Sequence, residues 1–316
     1  MTLTELRYIV AVAQKRHFGH AAEACFVSQP TLSVAVRKLE DELGVPLFER
    51  GPNEISLTPV GSKIIDQAQR VLEQANSIKE IAQSGKDPLK GSLRIGAIYT
   101  IGPYLFSHLI PTLHECVPNM PIIVEENYTA NLSARLKQGE LDVIIVSEPF
   151  EGPGIVTQAL YDEPFVVVIP GSHPWNSRDN IPAQDIANDK LLLLSSGNCF
   201  RDQVLAACPD CKQTTTSASG IQTVLEGSSL ETIRHMVVSG MGITVLPCAA
   251  AGADRYSRNL LKIKRFSDPI PTRRVILAWR KSFPRTEAIE VVRQVILSCP
   301  LSCVTMLPDA LSSDTK

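Results

Sequence analysis

The sequence predicts an α/β protein in which a helical N-terminal region and one long helix precede a region of alternating strands and helices. Apolar residues recur at helical spacing through the first 84 positions. From residue 92 onward, apolar runs of strand length alternate with helical patterns, which is typical of βαβ units. The 316 residues are therefore expected to form three parts, 1–58, 59–90 and 91–316.

The composition favours a globular protein inside the cell. Apolar residues make up 44% of the chain, which is enough to form buried cores. No signal-peptide pattern follows Met1, and no window holds the roughly 18 unbroken apolar residues of a membrane helix. We therefore expect a cytoplasmic protein without a membrane partner, whose eight cysteines are free, buried thiols.

The first 58 residues have the pattern of a winged helix-turn-helix. Apolar spacing predicts a helix over Thr2–Gln14, and a short second helix follows it. Ser28 stands where an N-cap belongs, with Pro30 just inside the third helix and Gly44 at its end. Two short extended pieces around a turn at Gly51-Pro52-Asn53 then make the wing.

One long helix is predicted after the wing. Thr58 is its cap, Pro59 is its first residue, and it ends near Ser84. A single helix cannot bury an apolar stripe of this length, so we expect it to pair with a second copy of itself. Packing on its own domain is the alternative. The residues of the stripe are Val60, Ile64, Ala68, Val71, Leu72, Ala75, Ile78 and Ala82.

The remainder of the chain predicts a parallel sheet with helical crossovers. Strands and helices alternate, as they do in βαβ units. The predicted strands are Ser92–Ala97, Ile122–Glu126, Val143–Val146, Phe165–Ile169, Leu191–Leu194 and Val275–Trp279, and the predicted helices are Tyr104–Cys116 and Ala130–Gln138.

Polar and cationic residues of the third helix are candidates for DNA contacts. The net charge of −2 does not itself indicate nucleic-acid binding, so the argument depends on pattern. In a helix-turn-helix, the start of the second helix of the motif reaches base edges while nearby cations hold phosphates. Glutamine suits adenine, and serine or threonine suit several bases. The candidate residues are Ser28, Gln29, Pro30, Thr31, Ser33, Arg37, Lys38 and, at the wing, Arg50.

The order and spacing of these segments resemble the LysR family of transcriptional regulators. The resemblance implies that 1–58 binds promoter DNA, that 59–90 is a dimerisation helix and hinge, and that 91–316 is an effector domain of two α/β lobes, like a periplasmic binding protein. It also implies a homodimer or homotetramer that works with RNA polymerase. The matching segments are Leu3–Gln14, Phe18–Glu23, Val27–Ser33, Leu39–Gly44, Leu47–Arg50, Leu57–Gly61 and Gly240–Pro247.

Two cysteines in the effector region form a candidate redox switch. Cys199 and Cys208 are nine residues apart, and the residues between them favour a helix or a buried turn. In a helix their α-carbons would lie roughly 13 Å apart at ~1.5 Å per residue, whereas a disulfide requires less than about 7 Å. A bond between them would therefore remodel the segment. Two buried structural cysteines are the alternative.

The segment from Cys199 to Gln203 is similar to the redox segment of the peroxide-sensing members of the LysR family. The resemblance implies that Cys199 attacks hydrogen peroxide and becomes a sulfenic acid, with which Cys208 condenses. It also implies a cellular dithiol reductant as a partner. Some members carry histidine where this chain has Asn198. Cys211 forms a C-x-x-C with Cys208 and can compete as the resolving thiol, so the pairing stays open.

A reactive thiolate needs cations or hydrogen-bond donors near it. Arg201 is close in sequence, and Arg274, which we prefer to Arg273, resembles the arginine that the family places near the thiol. Thr100 and Thr129 each follow a predicted strand, where ligands lie in open α/β sheets. The resemblance implies that these hydroxyls help to hold peroxide. Simple helix capping is the alternative role for both threonines.

Two other functions remain open at this point. One is a LysR-type regulator that responds to a small organic effector bound between the lobes near Thr100 and Thr129. The other is a thiol peroxidase with a DNA-binding appendage. No Ser/His/Asp arrangement, phosphate loop or metal-ligand cluster is visible, so we expect no enzyme, no metal and no cofactor. The sequence favours a peroxide-responsive activator of antioxidant genes.

Overall fold

Two compact units make up the chain. One is formed by residues 1–85 with 137–140, and the other by 86–136 and 141–316. None of the helices described here combines the length and apolar content needed to cross a bilayer. The computed structural model describes residues 1–50, 55–84, 87–211, 225–252, 260–301 and 303–307.

The N-terminal unit has the predicted helices and wing. Thr2 caps the first helix in a reciprocal capping box with Glu5, and Gly44 ends the third helix in the left-handed region at φ 71°. The wing strands pair antiparallel, while the turn predicted between them at residues 51–53 lies outside the described residues. The elements are α1 Leu3–Lys15, α2 Phe18–Ala24, α3 Gln29–Leu43, β1 Phe48–Arg50, β2 Ile55–Leu57 and α4 Pro59–Ser84.

The start of α4 belongs to the core of the N-terminal unit. Ile65 and Ala68 are buried in it, whereas Ile78 further along is 69% exposed. Gly61 allows the helix to pass the base of the wing, because a β-carbon there would lie 2.1 Å from the carbonyl oxygen of Leu47. The first turns of α4 therefore pack on the N-terminal unit itself, as the alternative had it. Because Ile78 is exposed, pairing of the later turns with a second copy stays a prediction.

The C-terminal unit contains the alternating elements that the sequence predicted, with extra strands. Its helices are α5 Gly102–Cys116, α6 Thr129–Lys137, α7 Cys199–Ala207, α8 Leu230–Val238, α9 Cys248–Ala251 and α10 Thr286–Ser298, with short 3-10 helices at Pro174–Ser177 and Ala183–Asn188. Its strands are β3 Leu93–Ile98, β4 Ile122–Asn127, β5 Val143–Ser147, β6 Ile155–Pro170, β7 Asn180–Ile181, β8 Leu191–Leu194, β9 Leu225–Gly227, β10 Ile243–Pro247, β11 Leu261–Phe266, β12 Thr272–Arg280 and β13 Thr305–Met306.

Two separate hydrophobic cores divide this unit into two lobes. In the first lobe, β4, β3 and β5 are parallel, and β12 runs antiparallel to β5. In the second lobe, β9, β8 and β10 are parallel, and β10 and β11 run antiparallel to β6. The expected parallel sheet is therefore mixed.

Strand β6 is the element that makes the sheet mixed. It pairs with β12 in the first lobe and with β10 and β11 in the second, so one strand runs through both lobes. The sequence predicted only its second half. Its first half carries the buried polar residues Gln158 and Glu163, which interrupt the apolar pattern from which a strand is recognised.

A disulfide joins Cys248 to Cys303, with their α-carbons 6.1 Å apart. It fixes the segment that leads into β13, which pairs with β6 at Asp162 and Tyr161. The expectation of eight free thiols is wrong at these two positions, because the chain brings together two cysteines 55 residues apart that no local pattern relates. The free cysteines are Cys25, Cys116, Cys199, Cys208, Cys211 and Cys299.

Candidate functional site

Helix α7 presents Cys199 as its first residue. Phe200 and Val204, four positions apart, are 2% and 1% exposed and anchor one face of the helix in the second core. Asn198, the residue before Cys199, is buried, and its side-chain amide donates to the carbonyl of Ser195 at 3.0 Å. Of the two structures that the sequence favours between the thiols, the helix is the one that forms, so Cys199 and Cys208 lie at its opposite ends.

Cys199 lines a narrow cavity together with Thr100 and Thr129. The cavity volume is about 10 Å³. That is close to the minimum that accommodates one water-sized molecule, so a metabolite does not fit. The full lining is Ile98, Tyr99, Thr100, Asn127, Tyr128, Thr129, Gly197, Asn198, Cys199 and Phe200.

Both threonine hydroxyls are available to a molecule in this cavity. The hydroxyl oxygen of Thr100 accepts a hydrogen bond from Nη1 of Arg273 at 2.8 Å, which leaves its own O–H free to donate. The hydroxyl of Thr129 is buried and has no hydrogen-bond partner within the described residues. Neither hydroxyl caps a helix. Helix α5 has no side-chain cap, and the Thr129 hydroxyl has no partner among the described residues.

Arg273, and not the preferred Arg274, is the arginine beside the cavity. Its Nη2 donates to the carbonyl of Thr100 at 2.9 Å, and its Nε donates to Glu163 at 2.8 Å. The Arg273 and Glu163 side chains are each 1% exposed. Its guanidinium also lies 5.3 Å from the ring centre of Phe200.

Arg274 faces away from the cavity because successive residues of a strand point to opposite faces. It pairs with Asp162 at 2.8 Å and stays 43% exposed. This pair raises the pKa of the Arg274 guanidinium above its ordinary value. Sequence proximity could not separate the two arginines, since the choice depends on how β12 aligns with β6.

Arg201 and Gln203 hold α7 in place. Arg201 donates to the carbonyl of Leu194 at 2.7 Å and pairs with Glu226 at 2.8 Å, so these bonds of its guanidinium go to β8 and β9 and not to the Cys199 thiol. The amide of Gln203 donates to Ser147 at 2.5 Å and to the carbonyl of Glu148 at 3.1 Å. Gln203 thus ties α7 to the first lobe, a role that no local sequence pattern predicted.

Cys208 and Cys211 are a buried pair of thiols, 1% and 3% exposed. A hydrogen bond from the Cys208 thiol to the Cys211 sulfur lowers the pKa of Cys211. The same bond raises the pKa of Cys208, and burial raises it further. While α7 is intact, Cys208 cannot form a disulfide with Cys199. Across the helix their α-carbons are roughly 13 Å apart at ~1.5 Å per residue, whereas a disulfide requires less than about 7 Å.

A wider cleft of about 670 Å³ lies along the end of α7 opposite to Cys199. Groups of three or more metal-ligating side chains are absent from the part of the chain that the structure describes. The cleft is lined by Glu148, Pro149, Phe150, Glu151, Thr157, Phe165, Gln203, Ala206, Ala207, Pro271, Thr272, Arg273 and Arg274.

Most of the candidate DNA-binding residues lie near the start of α3, with Arg37 and Lys38 further along this helix and Arg50 in the wing. Ser28 caps the helix by accepting from the N–H of Thr31, and their two hydroxyls lie 2.7 Å apart. Lys38 is 72% exposed, with its amine 3.6 Å from Glu5. Val34, which the sequence analysis missed, is 69% exposed on the same helix. Gln29, Pro30 and Arg37 are exposed, Ser33 is half-buried, and the side chain of Arg50 lies outside the described residues.

Two family models match the chain. The model described as "Bacterial regulatory helix-turn-helix protein, lysR family" matches residues 3–62. The model described as "LysR substrate binding domain" matches residues 86–298.

Relatives and solved structures agree with these models. "Hydrogen peroxide-inducible genes activator" of Escherichia coli O157:H7 is 38% identical, over 94% of this chain and 95% of its own. A cysteine-to-aspartate variant of full-length OxyR from Pseudomonas aeruginosa is 51% identical, with a TM-score of 0.73, over 98% of this chain and 99% of its own. A cysteine-to-serine variant of OxyR from Corynebacterium glutamicum, solved with H2O2 bound, is 33% identical, with a TM-score of 0.62, over 94% and 92%. The chain belongs to the LysR family of helix-turn-helix regulators and, within it, to the OxyR proteins.

Proposed function

We propose that this chain is a peroxide-responsive transcriptional regulator in which Cys199 is the sensing thiol. The observation that carries the proposal is a cavity of about 10 Å³ in which Cys199 meets two threonine hydroxyls. A relative is named a hydrogen peroxide-inducible genes activator, and another OxyR was solved with H2O2 bound. Hydrogen peroxide is small and both donates and accepts hydrogen bonds, as this lining requires.

The reaction begins with attack of the Cys199 sulfur on one peroxide oxygen. The O–O bond breaks, the sulfur becomes a sulfenic acid, and the other oxygen leaves as hydroxide and takes a proton to form water. The O–H of Thr100, backed by the Arg273 cation, donates to the leaving oxygen. The buried hydroxyl of Thr129 orients the peroxide. The N-terminus of α7, where Asn198 makes no side-chain cap hydrogen bond, favours negative charge at Cys199.

Resolution of the sulfenic acid changes the conformation. Cys208 attacks the Cys199 sulfur, a disulfide forms, and water leaves. Because the two ends of α7 must come together, the helix unwinds, and Phe200 and Val204 leave their places in the second core. The bonds from Gln203 to the first lobe are broken in the same step.

The DNA-binding unit converts this change into transcription. We place α3 in the major groove, with Gln29 at an adenine and Arg37 at a phosphate. Ser28 caps the helix by accepting from the N–H of Thr31, and the two hydroxyls also donate to the DNA phosphates. Lys38 and Arg50 add phosphate contacts. Pairing through α4, where Ile78 is exposed, supplies the dimer, and two dimers form the tetramer. The other proposed partners are RNA polymerase and a cytoplasmic dithiol that reduces the disulfide.

Replacing Cys199 by serine is expected to abolish the peroxide response while DNA binding in the reduced state survives. The test treats reduced protein with one equivalent of hydrogen peroxide, quenches with an alkylating agent and maps disulfides by mass spectrometry. DNA footprints are recorded in both redox states. Cys116→Ser, which removes an exposed thiol remote in sequence, is the matched control and should respond normally. A normal response from Cys199→Ser would refute the assignment.

Replacing Arg37 by alanine is expected to weaken DNA binding by a similar factor on every sequence. Each lost phosphate contact lowers the slope of log affinity against log salt by about one. Binding to an operator selected from random DNA, measured between roughly 50 and 200 mM salt, checks this. Lys281→Ala, an exposed cation of the C-terminal unit, should leave the slope unchanged. A sequence-dependent loss from Arg37→Ala would place Arg37 at a base instead.

Regulation by a small organic effector is the second candidate, and the cleft of about 670 Å³ favours it. That volume suits a metabolite, unlike the cavity at Thr100 and Thr129. A metabolite that raises the melting temperature and shifts the footprint, with no effect of peroxide, would support this function over the first. Sustained consumption of peroxide in the presence of a dithiol would instead indicate a peroxidase.

A further inference from the structure

Three thiols, and not two, belong to the redox segment. Cys211 follows Cys208 in the sequence Cys208-Pro209-Asp210-Cys211, and its sulfur accepts a hydrogen bond from the Cys208 thiol. The N–H of Cys211 donates to the carbonyl of Cys208 at 3.1 Å, which closes a turn and places the two residues side by side. The chemistry proposed for Cys199 and Cys208 does not use Cys211.

The two disulfides that Cys208 can form differ in what they require of α7. A bond to Cys199 joins the two ends of a nine-residue helix, so the helix must unwind and Phe200 and Val204 must leave the core. A bond to Cys211 joins neighbours in the turn just after the helix, and α7 keeps its length. The packing of α7 therefore favours the second disulfide over the first.

We propose that Cys211 is the final acceptor of the disulfide and so resets α7 without an external reductant. The inference rests on the proposed peroxide chemistry at Cys199. The Cys211 thiolate attacks the Cys208 sulfur of the Cys199–Cys208 disulfide. The bond between Cys199 and Cys208 breaks, a Cys208–Cys211 bond forms, and Cys199 leaves as a thiolate. No oxidant is consumed, and the number of electrons in the chain is unchanged.

Several features suit Cys211 to this role. The turn closed by the N–H of Cys211 and the carbonyl of Cys208 keeps Cys211 beside the residue whose sulfur it attacks. Cys211 is 3% exposed, so solutes have little access to its sulfur and its neighbour is the nearest target. After transfer, Cys199 can react with peroxide again but lacks a free resolving thiol. The conformational signal would thus be a pulse that ends by itself.

The sequence provides a direct readout of the transfer. Trypsin cleaves after Lys190, Arg201 and Lys212, so Cys199 falls in one peptide and Cys208 and Cys211 fall together in the next. The Cys199–Cys208 disulfide links the two peptides, whereas the Cys208–Cys211 disulfide leaves a single peptide lighter by two hydrogens. Reduced full-length protein is treated with one equivalent of hydrogen peroxide, acid-quenched at intervals, alkylated and digested.

We expect the linked peptides to appear first and then to decline while the Cys208–Cys211 peptide rises and Cys199 becomes alkylatable again, with no reductant added. In Cys211→Ser the linked peptides should persist, and in Cys116→Ser the time course should be unchanged. Persistent linked peptides in the unaltered chain would overturn the transfer while leaving the peroxide chemistry intact. If Cys199 is never oxidised, the proposed function fails, and the transfer fails with it.

A second measurement tests the cysteine pair without peroxide chemistry. Cys199→Ser protein is equilibrated in oxidised and reduced glutathione, and the fraction with a Cys208–Cys211 disulfide is measured. We expect the disulfide to form reversibly while the helical circular dichroism signal is retained. Absence of that disulfide across the whole range of glutathione ratios would overturn the proposal.

Discussion

Arg273→Met is expected to destabilise the C-terminal unit by about 3–5 kcal/mol. The substitution leaves Glu163 as an unpaired charge at a position that is 1% exposed. It also removes the donors to the hydroxyl and the carbonyl of Thr100. Urea unfolding of the full chain in reductant measures the loss. Arg274→Met, which breaks an exposed pair on the same strand, is the matched control and should cost less than about 1 kcal/mol.

Peroxide reactivity separates the two roles of Arg273. Replacing Arg273 and Glu163 together by apolar residues removes both buried charges and should restore most of the stability. It should not restore the rate at which Cys199 is oxidised, because nothing then holds the Thr100 hydroxyl. Arg273→Lys should also react slowly, since an ammonium cannot bond Thr100 and Glu163 with the same planar geometry. If Cys199 in the double variant is oxidised at the normal rate, the role of Arg273 is structural only.

Cys303→Ser is expected to lower the free energy of unfolding by about 2–4 kcal/mol. The disulfide closes a loop between residues 55 positions apart, and a loop of that length strongly restricts the unfolded chain. The melting temperature should fall by about 5–15 °C at roughly 2–4 °C per kcal/mol for a unit of this size. Reductant should lower the melting temperature of the unaltered chain by the same amount and should leave that of Cys303→Ser nearly unchanged.

Cys116→Ser separates this effect from a general effect of removing a thiol. Cys116 is exposed and free, so its substitution should change stability by less than about 0.5 kcal/mol. Equal melting temperatures for Cys303→Ser and the unaltered chain, both without reductant, would show that the link contributes nothing to stability.

Local patterns were enough to predict the helices of the N-terminal unit. The ends of α3 are set by Ser28 and Gly44, whose side-chain and backbone preferences act within a few residues. The start of α4 depends in the same way on Thr58, whose hydroxyl accepts from the N–H of Gly61 at 2.8 Å. Such features can be read from sequence because both partners lie within one turn of each other.

The features that the sequence did not predict are non-local. The choice between Arg273 and Arg274 depends on a partner 110 residues away, Glu163. The Cys248–Cys303 disulfide likewise depends on how the chain folds back. The resemblance to a known family brought Thr100, Thr129 and Cys199 into one hypothesis, and the structure places them around one cavity. Which threonine hydroxyls are free to form a hydrogen bond could be established only from the three-dimensional structure.

The size of the Cys199 cavity acts as a sieve for reagents. A space of about 10 Å³ favours an oxidant with two heavy atoms, such as hydrogen peroxide, over bulky organic hydroperoxides, which carry the same O–O bond. We therefore expect hydrogen peroxide to oxidise Cys199 faster than a bulky organic hydroperoxide does at equal concentration.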